Sequence, residues 1–315
     1  MSEQIAVLAM AYGTAAGPDD IERYYTDIRG GRAPSVELLE ELKARYAAIG
    51  NRFPLLEITR RQATALEQEL ERREPGRFKV YLGMKHSPPF IAEGVARIRA
   101  DGIGRAVGLV LAPHYSSLSI GTYIERVEGA LREGAEPTPT FTFVKSWFDN
   151  PAFIDVLSSR VAEAIGRLGA EERDGCAVVF TAHSLPARIV SEGDPYPEQL
   201  QETAELVAKK LGLTSHLTAW QSAGRTPEPW LGPDLGDVIR DLAQKGYPAV
   251  VVCACGFVAD HLEILYDLDI EAQREAAAAG ITLVRTQSMN DDPAFIRALA
   301  AVVLDHLRQT AVSGR

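Results

Sequence analysis

Cysteine is scarce in this chain: Cys176, Cys253 and Cys255 are the three among 315 residues. Three thiols fall one short of the four that usually hold an iron–sulfur cluster. Two of them lie in a single apolar run, VVVCAC, where free cysteine acts as a small hydrophobe. Long apolar runs are also missing, and none approaches the ~18 residues of a membrane-spanning helix. The opening MSEQIAVLAMAYGT has neither the basic start nor the long apolar core of a signal peptide. Positive charge is in deficit, with 33 Lys and Arg against 43 Asp and Glu and a formal net charge of −10. That balance argues against a nucleic-acid partner and provides no general attraction to an anionic membrane. The expectation is a cytoplasmic enzyme with no membrane insertion.

Several nucleotide and hydrolase signatures are absent as well. There is no Gly-Lys-Ser/Thr phosphate loop and no G-x-S-x-G. The G-x-G of GIGRAVG, residues 102–108, precedes a strand, whereas a dinucleotide fingerprint follows one and opens a helix. His183 and Ser184 are sequence neighbours and so make a poor nucleophile–base pair. Dehydrogenase, kinase and serine-hydrolase chemistry are set aside on these grounds.

What is present is a regular alternation of apolar strand-like runs and amphipathic helices, the pattern of an α/β protein with mainly parallel sheets. IAVLAMAY, FKVYLGM, AVGLVLAP and TFTFVKSW mark the first half; CAVVFTAH, HLTAWQS, AVVVCACG and ITLVRTQ mark the second. Helical stretches such as SVELLEELKARYAAIG and TRRQATALEQELERR lie between them. MAYGT and TAHSLP each end the first strand of a half, while LAPHYSS and CACGFVADH each end the third. The expectation is therefore two similar Rossmann-like halves, residues 1–148 and 149–315, each a four-stranded sheet flanked by helices, with an active-site cleft between them. The last helix, 292–309, is expected to pack on the first half, and the closing AVSGR to fray.

Chemistry concentrates at two strand ends. In GFVADHLEILYDLDIE, residues 256–271, Asp260, Glu263, Asp267 and Glu271 recur at steps of three and four. On an α-helix they would stack along one face in a row of roughly 16 Å. Like charges at that spacing cost about 0.2–0.5 kcal/mol per pair, so the row needs a reason, such as a cation or proton travelling along it. Without its context the row reads as the solvated face of an acidic helix. Its position past a parallel strand's carboxyl end, where open α/β sheets bind ligands, favours function. His183 ends the buried strand CAVVFTAH in the same setting, and an imidazole with a carboxylate can bind a first-row metal such as iron.

AHSLP and GFVADHLE–YD–D resemble the two signature regions of the ferrochelatases, which insert ferrous iron into porphyrins. MAYGT (10–14), IERYY (21–25), KARYAAIG (43–50), GMKHSPPFI (83–91), LAPHYSS (111–117), DPYPEQL (194–200) and PEPWLGPDL (227–235) match in family order. The likeness spans nearly the whole chain. The tyrosine of MAYGT is similar to that of the coproporphyrin III ferrochelatases of Gram-positive-type bacteria.

The resemblance implies Fe²⁺ insertion into coproporphyrin III in haem biosynthesis, with release of two protons and iron as substrate rather than resident cofactor. It implies that His183 and Glu263 meet and are catalytic, binding Fe²⁺ and taking up protons, with Asp267 and Glu271 continuing the metal and proton path. Tyr12 would ligate the product iron, although alone it reads as a tyrosine capping the core. Arg29, Arg45, Tyr46, Lys85, His86 and Tyr123 would line the porphyrin and meet its propionates. Phe53 is a departure, standing where relatives often carry a serine, so a hydrogen bond to a propionate gives way to an apolar wall. Trp230 reads either as a further wall or as a loop pin. Some relatives hold an iron–sulfur cluster, which three cysteines argue against here. A monomer is expected, with transient contacts to neighbouring haem-pathway enzymes. The competing readings are a protoporphyrin IX ferrochelatase, a cobalt or nickel chelatase, and a non-catalytic porphyrin or haem carrier.

Overall fold

The structure, a computed structural model, describes residues 4–134 and 136–313. Among these residues eight strands form: β1 (Ile5–Ala11), β2 (Phe78–Met84), β3 (Arg105–Val110), β4 (Thr140–Val144), β5 (Ala177–His183), β6 (His216–Gln221), β7 (Ala249–Cys253) and β8 (Thr282–Arg285). They make two four-stranded sheets, ordered β2-β1-β3-β4 and β6-β5-β7-β8. Every pairing is parallel. The central strands are apolar throughout: all seven residues of β1 and all five of β7 are buried. Continuous burial follows from parallel sheets covered by helices on both faces. The fold is α/β, as the alternation of strand and helix patterns requires.

The chain divides into two compact units. Unit 1 comprises residues 1–112, 117–147 and 290–315; unit 2 comprises 113–116 and 148–289. The tetrad 113–116, expected with the first half, belongs with unit 2 for a local reason. There His114 Nε2 lies 2.9 Å from Thr203 Oγ1, Tyr115 N–H donates to Gln199 Oε1 at 2.7 Å, and Ser116 Oγ donates to Asp194 Oδ2 at 3.0 Å.

The helix Pro293–Ser313 lies in unit 1 and packs on the helix Leu55–Arg73. Gln62 Nε2 donates to the Asn290 carbonyl at 2.8 Å, and Arg73 Nη2 to that of Arg297 at 3.1 Å. Arg61 pairs with Asp291 at 2.9 Å. Of the AVSGR segment expected to fray, Ala311–Ser313 continue this helix, and Gly314 and Arg315 lie outside the described residues. Among the described residues no helix is long and apolar enough to cross a membrane.

Beyond the end of β1 the chain must turn within very little space. Gly13, at φ +99°, leaves β1 against Ser87, whose Oγ would lie 2.6 Å from any Cβ placed there. Only glycine adopts that conformation readily. The turn is tied down by Tyr24, whose hydroxyl donates to the Gly13 carbonyl at 3.1 Å, and by the Thr14 N–H, which donates to Ser87 Oγ at 3.2 Å.

Candidate active site

In unit 2, β5 ends at His183. The imidazole Nδ1–H donates to the Ser184 carbonyl, which leaves Nε2 as the outward-facing nitrogen. Tyr196, buried, donates its hydroxyl to the His183 carbonyl at 3.0 Å and fixes the strand tip from behind. Nε2 of His183 stands 3.6 Å from Oε1 of Glu263, with the two side chains 35% and 30% exposed. Glu263 Oε2 lies 3.5 Å from Nε2 of His261. One carboxylate therefore serves two imidazoles, each presenting Nε2, because His261 Nδ1–H is engaged by the Ala259 carbonyl at 2.9 Å.

Burial alone would pull the His183 pKa down. The Glu263 charge and hydrogen bond outweigh it, and the group is pushed up to about 9. His261 moves in the same direction against the same opposition. Burial would raise Glu263, but the two imidazoles hold it well below the ordinary carboxylate range. At neutral pH the resting state is an imidazolium–carboxylate pair.

The carboxylate row is not built as the sequence spacing suggests. Residues 256–261 are irregular, because Gly256 closes onto β5: a Cβ there would lie 2.5 Å from that of Ala182. Leu262–Leu265 is a single α-turn, and Asp267–Ala272 is a π-helix, with the Glu271 N–H reaching the Tyr266 carbonyl at 3.0 Å. Asp260 is diverted from the row, accepting from Ser288 Oγ at 2.7 Å and lying 3.5 Å from Arg285. Asp267, 8% exposed, accepts from Ser222 Oγ, and Glu271 is exposed. Among the described residues no three His, Cys, Asp or Glu converge to hold a metal ion by themselves. The set His183, Glu263, Asp267 and Glu271 is thus not a preformed cage. It resolves into one tight pair and two separately placed carboxylates.

Around this pair, Trp230 lies with its ring 6.5 Å from that of His183, and its Nε1–H donates to Thr226 Oγ1 at 2.8 Å. It pins its own loop while standing beside the imidazole. Cys253 and Cys255 are buried at the end of β7, and Cys176 is half-buried.

Unit 1 holds a second cluster at the end of β1. Tyr12 is 41% exposed, which removes the reading of a core cap. Its ring contacts that of His86 at 4.6 Å, and Lys85 Nζ lies 5.8 Å from its centroid and 5.2 Å from that of Tyr123. Lys85 donates to Thr122 Oγ1 at 2.6 Å, and burial brings its pKa down to about 8. Tyr123 is buried, and burial pushes its phenol up. Arg29 is half-buried at the end of the helix Ile21–Ile28, with its guanidinium 5.9 Å from the Tyr25 centroid.

Arg45 and Tyr46 lie on the helix Val36–Ala48. Arg45 is half-buried, and Tyr46 is 2% exposed. Phe53 stacks on it at 4.5 Å and 22°, and the Tyr46 hydroxyl meets Thr14 Oγ1 at 3.4 Å. The apolar wall expected at Phe53 thus also supports the turn that carries Tyr12.

Sequence reasoning missed His261 and Ser222. His261 and Glu263 are two residues apart, a spacing that places side chains on different faces of a helix. They meet because His261 is extended. The written signal was DHLE itself, an imidazole beside the carboxylate already singled out.

Two four-stranded parallel sheets of like order, with ionisable side chains gathered at inner strand ends, define a two-sheet α/β protein of the chelatase fold. SirB of Bacillus subtilis, solved with Fe³⁺, shares that fold at a TM-score of 0.57 and 13% identity, over 96% of this chain and 95% of its own. Residues 4–307 match the family Ferrochelatase. The chain belongs to the ferrochelatase family. It is 47% identical to the coproporphyrin III ferrochelatase of Anoxybacillus flavithermus, over 99% of this chain and all of that one. The Bacillus subtilis coproporphyrin III ferrochelatase is 47% identical over 97% and 98% of the two chains. The ferrochelatase of Thermus thermophilus is 48% identical over 94% and 98%.

Proposed function

We propose that this enzyme inserts Fe²⁺ into coproporphyrin III, giving Fe-coproporphyrin III and two protons, as a step of haem biosynthesis. The observation that carries the reading is the Glu263 carboxylate set between two Nε2 atoms, at 3.6 Å from His183 and 3.5 Å from His261. The full-length likeness to coproporphyrin III ferrochelatases supports the choice of ring.

The resting pair supports a role for His183 toward both the metal and the protons. A metal ligand must be a neutral imidazole, so a dication arriving beside Glu263 displaces the His183 proton. As iron passes to the ring, His183 is left a neutral base whose conjugate acid sits near 9, strong enough to take a pyrrole proton as it departs, while Glu263 stays an anion throughout. Asp267, held by Ser222, and exposed Glu271 carry protons or cations onward. Tyr12 meets the product iron through its phenolate. Lys85, Arg29 and Arg45 meet propionates, with Arg favoured for planar carboxylate recognition.

Anaerobic metallation followed by absorbance, with Fe²⁺ and either coproporphyrin III or protoporphyrin IX, tests the proposal. Faster turnover of coproporphyrin III is expected. Preference for protoporphyrin IX would overturn the ring assignment, and tight binding without metallation would favour a carrier.

A further inference from the structure

The Tyr12 ring is held by a neighbour that is itself held. His86 follows β2, and its backbone N–H donates to the Tyr12 carbonyl at 2.9 Å. That bond carries the β1–β2 pairing past both strands and sets the two rings side by side, at 4.6 Å and 57°. The His86 side chain is almost wholly buried, and its Nδ1 lies 2.6 Å from Oδ1 of Asp27 on the helix Ile21–Ile28. An ionised carboxylate only accepts, so Nδ1 carries the hydrogen and Nε2 keeps a lone pair. Asp27 is the ring's one hydrogen-bonding partner among the described residues.

We propose that Asp27 is a positioning residue of the chelatase site, fixing the Nδ1–H tautomer of His86 and with it the imidazole face against which Tyr12 is held. The proposal rests on the reading that Tyr12 meets the product iron. A carboxylate that orients an imidazole by its second nitrogen is a recurrent device at metal sites, and losing such a partner costs about 10–100-fold in activity or affinity. Here the imidazole is not placed as the ligand. It orients the side chain that is.

The test compares the full-length enzyme with Asp27→Asn and Asp27→Ala, and with Asp27→Leu should the alanine variant lose its cooperative melt. Long-range proton–nitrogen correlation spectra of the His86 ring come first. The expected result is a single Nδ1–H tautomer in the parent, its retention in Asp27→Asn, whose amide oxygen still accepts, and a tautomer mixture in Asp27→Ala or Asp27→Leu. The second readout is steady-state anaerobic metallation with the absorption spectrum of the bound iron product. Loss of Asp27 is expected to lower kcat about tenfold with KM for the porphyrin little changed and to shift the product spectrum, and asparagine to restore most of both.

An unchanged tautomer in Asp27→Ala or Asp27→Leu would overturn the proposal. So would a changed tautomer with kcat and product spectrum at parent values. A Tyr12→Phe enzyme with the parent's product spectrum would remove the iron-ligation reading instead, and the kcat and KM of the Asp27 variants would then decide the positioning role.

Discussion

Oε2 of Glu263 lies 3.5 Å from Nε2 of His261, while its other oxygen faces His183. Converting this one carboxylate to an amide therefore alters two imidazoles together. In Glu263→Gln the principal interaction raising His183 disappears while its burial remains, so its pKa is expected to fall from about 9. His261 should fall with it. Metallation should drop at least ~100-fold, the scale of lost acid–base assistance. Nitrogen NMR titration and anaerobic turnover read the two effects.

The same pair sets a pH window for stability. His183 has a folded pKa above its unfolded value, so its contribution is fully present below about 6.5 and is lost as pH rises through about 9. Glu263 is shifted the other way, so its contribution is present above about 4.5 and is lost as pH falls. Melting temperatures of the parent and His183→Ala should therefore converge above pH 9. A gap between them that persists there would contradict the assignment.

Gly13→Ala should destabilise unit 1 by about 1–3 kcal/mol, the usual cost of a strained backbone position. The new methyl meets both Ser87 Oγ and the Ser87 backbone nitrogen, and the second cannot rotate away. Urea unfolding should show a lower midpoint with an unchanged slope, and turnover should fall because Tyr12 is the adjoining residue.

Phe53→Ser should lose the stack on Tyr46, about 0.5–1.5 kcal/mol beyond the area it buries. If the hydroxyl then meets a propionate, KM for coproporphyrin III should fall relative to that for protoporphyrin IX while kcat changes less. Steady-state rates with both rings check this.

Eight strand-like runs in the sequence correspond to eight strands because β-branched apolar stretches ending in polar turns admit little else. His183 was legible for the same reason, as the first polar side chain after a buried run. The carboxylate row was not. Whether residues 262–279 continue as one α-helix depends on the carbonyl that the Glu271 N–H selects, and here it reaches Tyr266, five residues back. Periodicity counted at 3.6 residues per turn carries no trace of that choice. Nor could it reveal that Asp260 would turn to Ser288 and Arg285. Asp27 was invisible for a different reason: its partner is 59 residues away, and nothing in YYTDIR marks it.

The placement of the helix Pro293–Ser313 in unit 1 also bears on the order in which the chain matures on the ribosome. Residues 113–116 and 148–289 have all been made before that helix emerges, so unit 2 has its full complement first. Unit 1 is begun before unit 2 but awaits the Asn290 carbonyl for Gln62 and the Asp291 carboxylate for Arg61. Domains generally fold as units during synthesis. Of the two units, the one begun first is thus the one completed last, and the nascent helix Leu55–Arg73 must keep its apolar face from other partners for more than 200 residues of translation.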